Sequence, residues 1–296
     1  MLTDQQLAGW TGPSSSTEQD KQERTERMIR DAINAHDAFD GYSFSIYAKG
    51  SYANNTNVRS DSDVDIVVEC EDAFFWKDFD PDKGGHPPIE PYDGIWKPEK
   101  LRQELAKALK AKFPGEVTEG TTAFQVTSSA SRVDADVVPC FTFREYFEDG
   151  SHRVGTQLFK VDGGSIVNYP KHQLQLGREK NTRTNGGYKK TVRILKRLEN
   201  VLVDAGVADD QASYLLECLI FNCDESFFAR SSWREVLRGC LAEIYNYTLG
   251  TEPTDPDDRW LEANGIKFLF HRDQKWDRAG VHRFARAAWD YMEFDE

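Results

Sequence analysis

The spacing of apolar residues shifts between helical and strand-like periods along the chain, and those shifts predict its elements. From Thr17 to about Ala38, Met28, Ile29, Ala32 and Ile33 make one apolar stripe among charged residues, which predicts a helix with Thr17 as its cap. Tyr42–Ala48 alternates instead, with Phe44 and Ile46 on one face and Ser43, Ser45 and Tyr47 on the other, a strand that Gly50-Ser51 ends. Asp63–Glu69 repeats the alternation, setting Val64 and Ile66 opposite Asp63 and Asp65. Pro98–Phe113 returns to helical spacing with Leu101, Leu105, Ala108 and Leu109 inward, and Phe124–Thr127 and Arg132–Phe143 read as paired strands. Beyond Asn168 the pattern is helical over Tyr188–Ala205, Ser213–Cys223, Trp233–Leu249 and Val281–Met292. The Pro- and Gly-rich stretch Asp78–Lys97 is expected to be a surface loop. The expected organisation is a flexible start (1–16), a mixed α/β region (17–170) and a helical lobe (171–296).

Composition narrows the class. The chain has 296 residues, 39% hydrophobic and 12% aromatic, enough for a packed core. Its formal net charge of −13 argues against a protein that grips long nucleic acid, since that needs a Lys/Arg surplus to displace counterions. The five cysteines (Cys70, Cys140, Cys218, Cys223, Cys240) include no C-x-x-C pair and read as buried thiols in a reducing compartment. No segment is apolar for the ~18 to 20 residues that a membrane span requires, so a soluble, cytoplasmic protein is expected.

The chemistry concentrates in two segments. Lys49-Gly50-Ser51 follows a strand, and a glycine there lets the backbone approach a phosphate while Ser51 and nearby N–H groups donate to it. After residues 52–62 comes Asp63-Val64-Asp65, whose carboxylates, two apart in a strand, share a face. Adjacent carboxylates raise each other's pKa unless cations neutralise them, and magnesium favours one or two carboxylates together with substrate phosphates. A further acid comes from Val133-Asp134-Ala135-Asp136-Val137-Val138-Pro139, where alternation puts Asp134 and Asp136 on one face and leaves the choice between them open. Acids converging from two strands suit a site for two divalent ions.

At these residues the sequence resembles the polymerase-β-like nucleotidyltransferases, and within them the bacterial cGAS/DncV-like enzymes that make cyclic oligonucleotide second messengers for antiphage signalling. Gly187–Lys196 resembles the family's basic helix, Ala212–Glu217 its Ser-Tyr element, and the helix before Gly50 its long spine helix bridging two lobes. The resemblance implies an α+β fold: a mixed-sheet nucleotidyltransferase core plus a C-terminal helical lobe. It implies that Gly50 and Ser51 bind the donor triphosphate and that Asp63, Asp65 and Asp136 hold two Mg²⁺ ions, with Mn²⁺ able to substitute. Lys190 or Arg193, with Ser213, would reach phosphates, and Tyr214 would stack on the donor base. Asn168, which an Asx-turn before Pro170 would also explain, stands where pyrimidine-using members read a base edge.

The expected activity is template-independent joining of nucleoside triphosphates, ATP and UTP among them, with release of pyrophosphate. A monomer is expected, without long nucleic acid or membrane, and either constitutively active in vitro or controlled by a protein or small-molecule signal. Two alternatives stand beside this reading: transfer of a nucleotide to a protein, small molecule or RNA end, and a catalytically inactive nucleotide sensor.

Overall fold

The computed structural model describes residues 2–58, 63–78, 82, 90 and 92–294. In chain order these form α1 (Asp4–Gly9), α2 (Ser16–Asn34), β1 (Phe44–Lys49), α3 (Gly50–Ala53), β2 (Val64–Asp78), α4 (Pro98–Lys112), β3 (Val117–Glu119), β4 (Phe124–Val126), β5 (Ala135–Tyr146), β6 (His152–Phe159) and β7 (Ser165–Asn168). Helices follow: α5 (Pro170–Arg183), α6 (Gly187–Asp204), α7 (Ser213–Asn222), α8 (Trp233–Thr248) and α9 (Arg278–Tyr291). The expected loop at 78–97 lies largely outside the described residues.

The chain divides into two compact units, one made of Ser15–Tyr52 and Arg59–Lys171, the other of Met1–Ser14, Ala53–Val58 and His172–Glu296. The first is built on a seven-stranded sheet in the order β1-β2-β5-β4-β3, with β6 joined to β5 and β7 to β6. Only β2 and β5 run parallel among the described strands. Alternation sorts the faces as expected: Ile46, Val64, Ile66, Val68, Val137 and Phe141 point to one side, where Ile29 and Ile33 of α2 and Leu101, Leu105 and Leu109 of α4 cover them. Each such aliphatic side chain, fully buried, contributes ~1.5–3 kcal/mol. The opposite face has a small apolar patch of Val67, Val138, Cys140 and Leu158, edged by Tyr47 and Ala123.

The cap of α2 is Ser15, not Thr17; its hydroxyl accepts from the Glu18 N–H at 3.3 Å. A longer β2 than expected runs on to Asp78, through a register shift between Cys70 and Phe74. The β6–β7 hairpin and α5 were not anticipated.

In the helical unit, Tyr188, Leu195 and Leu198 of α6, Leu215 and Leu219 of α7, Leu237 and Leu241 of α8, and Phe284 and Ala288 of α9 share one core. The expected flexible start is instead ordered. Leu7 of α1 is fully buried in that core, Thr3 caps the helix through Gln6, and Arg197 bonds the Gly12 carbonyl at 2.9 Å. Among the described residues no helix is long and apolar enough to cross a membrane.

Candidate active site

Four strands bring one residue each into a single cross-strand row. Lys49 of β1 pairs with Asp65 of β2, Asp65 with Asp136 of β5, and Asp136 with Gln125 of β4. Register partners on neighbouring strands present their side chains to the same face, so both carboxylates stand on the face away from α2 and α4. The Lys49 ammonium lies 3.9 Å from Asp65 Oδ1. Burial raises the pKa of Asp65, and Lys49 offsets part of that shift. Asp136 is raised by burial first, then by the charge of Asp65, with Asp134 adding to it. Two part-buried carboxylates therefore face each other with one ammonium beside them.

Gly50 closes this row. Its φ of +69° lies in the left-handed region, and a Cβ there would stand 2.5 Å from Asp65 Oδ2. Both its conformation and the carboxylate beside it thus exclude a side chain. Ser51 follows as the second residue of α3. Asp63 is exposed and immediately precedes β2.

The choice between Asp134 and Asp136 also has a physical basis. The Val64 N–H donates to the Asp134 carbonyl, and the Asp134 carboxylate accepts from the Ser128 N–H at 2.5 Å. Asp134 thus fastens the turn ahead of β5, whereas Asp136 faces Asp65.

Among the described residues no three His, Cys, Asp or Glu side chains are placed to hold an ion together. The donor set nonetheless fits a hard divalent cation. It offers carboxylate oxygens whose pKa values are raised by burial, and for Asp136 also by the charge of Asp65, beside a glycine that leaves room at Asp65.

Asn168 lies on the same sheet face. Thr142, six residues beyond Asp136 on β5, pairs with Thr156 of β6, which pairs with Asn168 of β7. Six residues of strand span ~20 Å, a distance that only an extended ligand bridges. Asn168 is a strand residue and not part of an Asx-turn; among the described residues its side-chain amide makes no hydrogen bond, so its donor and acceptor are both available. Between the two rows, the buried Glu69 accepts from the Tyr47 hydroxyl (3.0 Å), the Thr142 hydroxyl (2.8 Å) and the Lys171 ammonium (3.0 Å). No motif in the sequence marked Glu69 or Lys171.

The remaining candidates belong to the helical unit. Arg193 is buried and donates to the Thr11 and Asn55 carbonyls, each at 2.6 Å. Burial, with neighbouring Arg197, pulls its pKa down to about 10. Its guanidinium is thus committed to backbone. Lys190 sits over the Trp233 ring at 5.9 Å, in a cleft of about 490 Å³ with Arg183, Ser231 and Ser232. Ser213 is exposed at the start of α7. The Tyr214 hydroxyl donates to Glu262 at 3.3 Å, and its ring meets Trp276 edge-on. The neighbouring Lys189 has its pKa lowered by burial, which the charge of Glu217 partly offsets.

Comparison with known proteins gives the family of the chain. Residues 175–293 match the family model described as the cGAS/DncV-like nucleotidyltransferase C-terminal helical domain. The chain is 36% identical over 297 residues to a cyclic dipyrimidine nucleotide synthase, CdnE, of Legionella pneumophila, covering 98% of both proteins. A synthase of the same name from Cecembia lonarensis is 34% identical, with 99% of each covered. Among solved structures, the Elizabethkingia meningoseptica CdnE cyclic dinucleotide synthase with GTP and Apcpp superposes with a TM-score of 0.81 at 28% identity, over 99% of both chains. With the polymerase-β-like fold and near full-length similarity to curated synthases, the chain belongs to the cGAS/DncV-like nucleotidyltransferases.

Proposed function

We propose that this enzyme joins two nucleoside triphosphates, at least one of them UTP, into a cyclic dinucleotide and releases pyrophosphate at each joining. In each round a ribose hydroxyl oxygen of one nucleotide forms a bond to the α-phosphorus of the other. The bond from that phosphorus to the β-phosphate bridging oxygen breaks, and pyrophosphate leaves with the electron pair. A second round within the linear product closes the ring. The observation that carries this reading is the pairing of Asp65 with Asp136, flush with a glycine that keeps the carboxylates uncovered.

Asp63, Asp65 and Asp136 would hold Mg²⁺ or Mn²⁺, whose chemistry when bound is to neutralise triphosphate charge and to acidify the attacking hydroxyl. The chain's own groups have separate tasks. Lys49 balances part of the Asp65 charge. The backbone at Gly50 admits a phosphate close to that carboxylate, and the Ser51 hydroxyl donates to it. Val67 and Val138, one row along from the aspartates, give the ligand an apolar floor. Asn168 can donate to a uracil carbonyl and accept from the ring N–H at once. The two relatives named as dipyrimidine synthases support a pyrimidine substrate. The five free, buried cysteines suit a reducing cytoplasm, where antiphage signalling would operate.

Incubation with all four NTPs and Mg²⁺ or Mn²⁺, followed by mass spectrometry and linkage-specific nuclease digestion, tests the proposal. A phosphatase-resistant product containing UMP is expected. Absence of any phosphatase-resistant product with either ion would refute cyclic-nucleotide synthesis.

A further inference from the structure

Ser51 is followed by a short stretch of chain that leaves the sheet-bearing unit. Its residues 53–58 belong to the helical unit, where three polar side chains are buried: Asn54 and Thr56 fully, Asn57 to within 4%. Polar groups so enclosed must be held by specific bonds. Asn54 Nδ2 donates to Glu217 Oε1 at 2.6 Å, and Thr56 Oγ1 donates to Glu217 Oε2 at 2.8 Å. Gln173 Nε2 adds a third bond to Oε1, at 2.9 Å. Asn57 Nδ2 bonds the Ser14 hydroxyl at 3.0 Å, and Arg193 holds the Asn55 carbonyl.

Glu217 sits on α7 between the core leucines Leu215, Leu216 and Leu219 and is 1% exposed. A carboxylate buried among leucines is costly unless its oxygens are filled with donors. Two of the three donors come from the loop residues Asn54 and Thr56, which lie outside the hydrophobic core. What the carboxylate adds is a fixed path for the 54–57 backbone, including the left-handed Asn55 with φ of +53°.

We propose that Glu217 is a positioning residue for nucleotidyl transfer: by gripping Asn54 and Thr56 it fixes the backbone that leads directly back to Ser51. Asn54 is the third residue after Ser51, so an error in its placement is transmitted through a single turn of backbone. The role rests on the reading of Ser51 as a triphosphate contact, and it assigns no chemistry to Glu217 itself.

Glu217→Gln keeps the shape and removes an acceptor, since the amide nitrogen would face other donors. The expected result is a fold close to wild type by circular dichroism and thermal melting. The KM for NTPs should rise ~10-fold or more, and the Mn²⁺ concentration for half-maximal activity should rise with it. Thr56→Val should give a smaller shift in the same direction. Glu217→Gln combined with Thr56→Val should be little worse than Glu217→Gln alone, because both act through one contact. Wild-type KM and metal requirement in Glu217→Gln would overturn the proposal. So would activity that falls only in proportion to the unfolded fraction, which would mark Glu217 as structural alone. A wild-type protein that makes no product would refute the functional reading instead, so the two failures are told apart.

Discussion

Asp65 and Asp136 are direct register partners on the parallel strands β2 and β5, two carboxylates whose protonation thresholds are raised by burial, that of Asp136 also by the charge of Asp65. An acid whose folded pKa lies above its unfolded value destabilises the fold once it is ionised. That cost is absent at pH values below the unfolded pKa and complete above the folded one. Asp65→Asn or Asp136→Asn should therefore raise the melting temperature at pH 7.5 in EDTA, with a smaller gain near pH 4. Mg²⁺ should stabilise the wild type more than either variant. Thermal melts at two pH values, with and without the ion, measure both effects.

The same variants should lose activity more than ~100-fold, beyond the 10- to 100-fold typical of losing an outer partner of a metal site. Asp134→Asn is the control. Its side chain fastens the Ser128 amide, so it should keep most of its activity. Pyrophosphate release assays compare the three.

Replacing Gly50 by alanine meets two obstacles, the positive φ and the Asp65 oxygen. A left-handed alanine costs about 1–2 kcal/mol before any displacement of the carboxylate. Denaturant titration should show a loss of at least that size, and product formation should fall far more steeply than stability.

Asn168→Ser should shift base choice away from UTP while total turnover with ATP is retained. An amide that both donates and accepts would be replaced by a shorter hydroxyl, and sites built to bond a polar edge discriminate strongly when the bond is lost. Product composition from equimolar UTP and ATP reads this out, and an unchanged ratio removes Asn168 from base recognition.

Arg193→Met leaves the Thr11 and Asn55 carbonyls without their donor. Hydrogen bonds from charged groups are worth ~1.5–3 kcal/mol each, and Arg193→Lys should fail to restore them, having a point charge where two directions are needed. The loss should appear first in thermal stability, since its guanidinium is turned to backbone.

Much of the candidate site was legible because strand alternation is a local rule. Asp63, Asp65 and the Val64/Ile66 face follow from spacing alone, as do the inward leucines of α4. What local spacing could not supply was the use of polar side chains in tertiary bonds. Asp134 and Asp136 share a parity, and what separates them is tertiary: the Ser128 amide on Asp134 and the register pairing of Asp136 with Asp65. Lys189, Lys190 and Arg193 all read as the charged face of one helix. Their destinations, near Glu217, over Trp233 and against two carbonyls, depend on distant segments. The β6–β7 hairpin escaped notice because β7 is short and its Ser165 and Ile166 are exposed, so it lacks an apolar face. α1 escaped because its burial rests on the single residue Leu7.

The dispersed make-up of the helical unit limits how this protein can be divided. A chain cut after Lys171 would separate the C-terminal helices from Leu7 and from Asn54 and Thr56, the groups that fill their core and satisfy Glu217. Neither half is therefore a cassette that could be expressed alone or exchanged between relatives at one crossover point. A functional chimera must carry three matched stretches together.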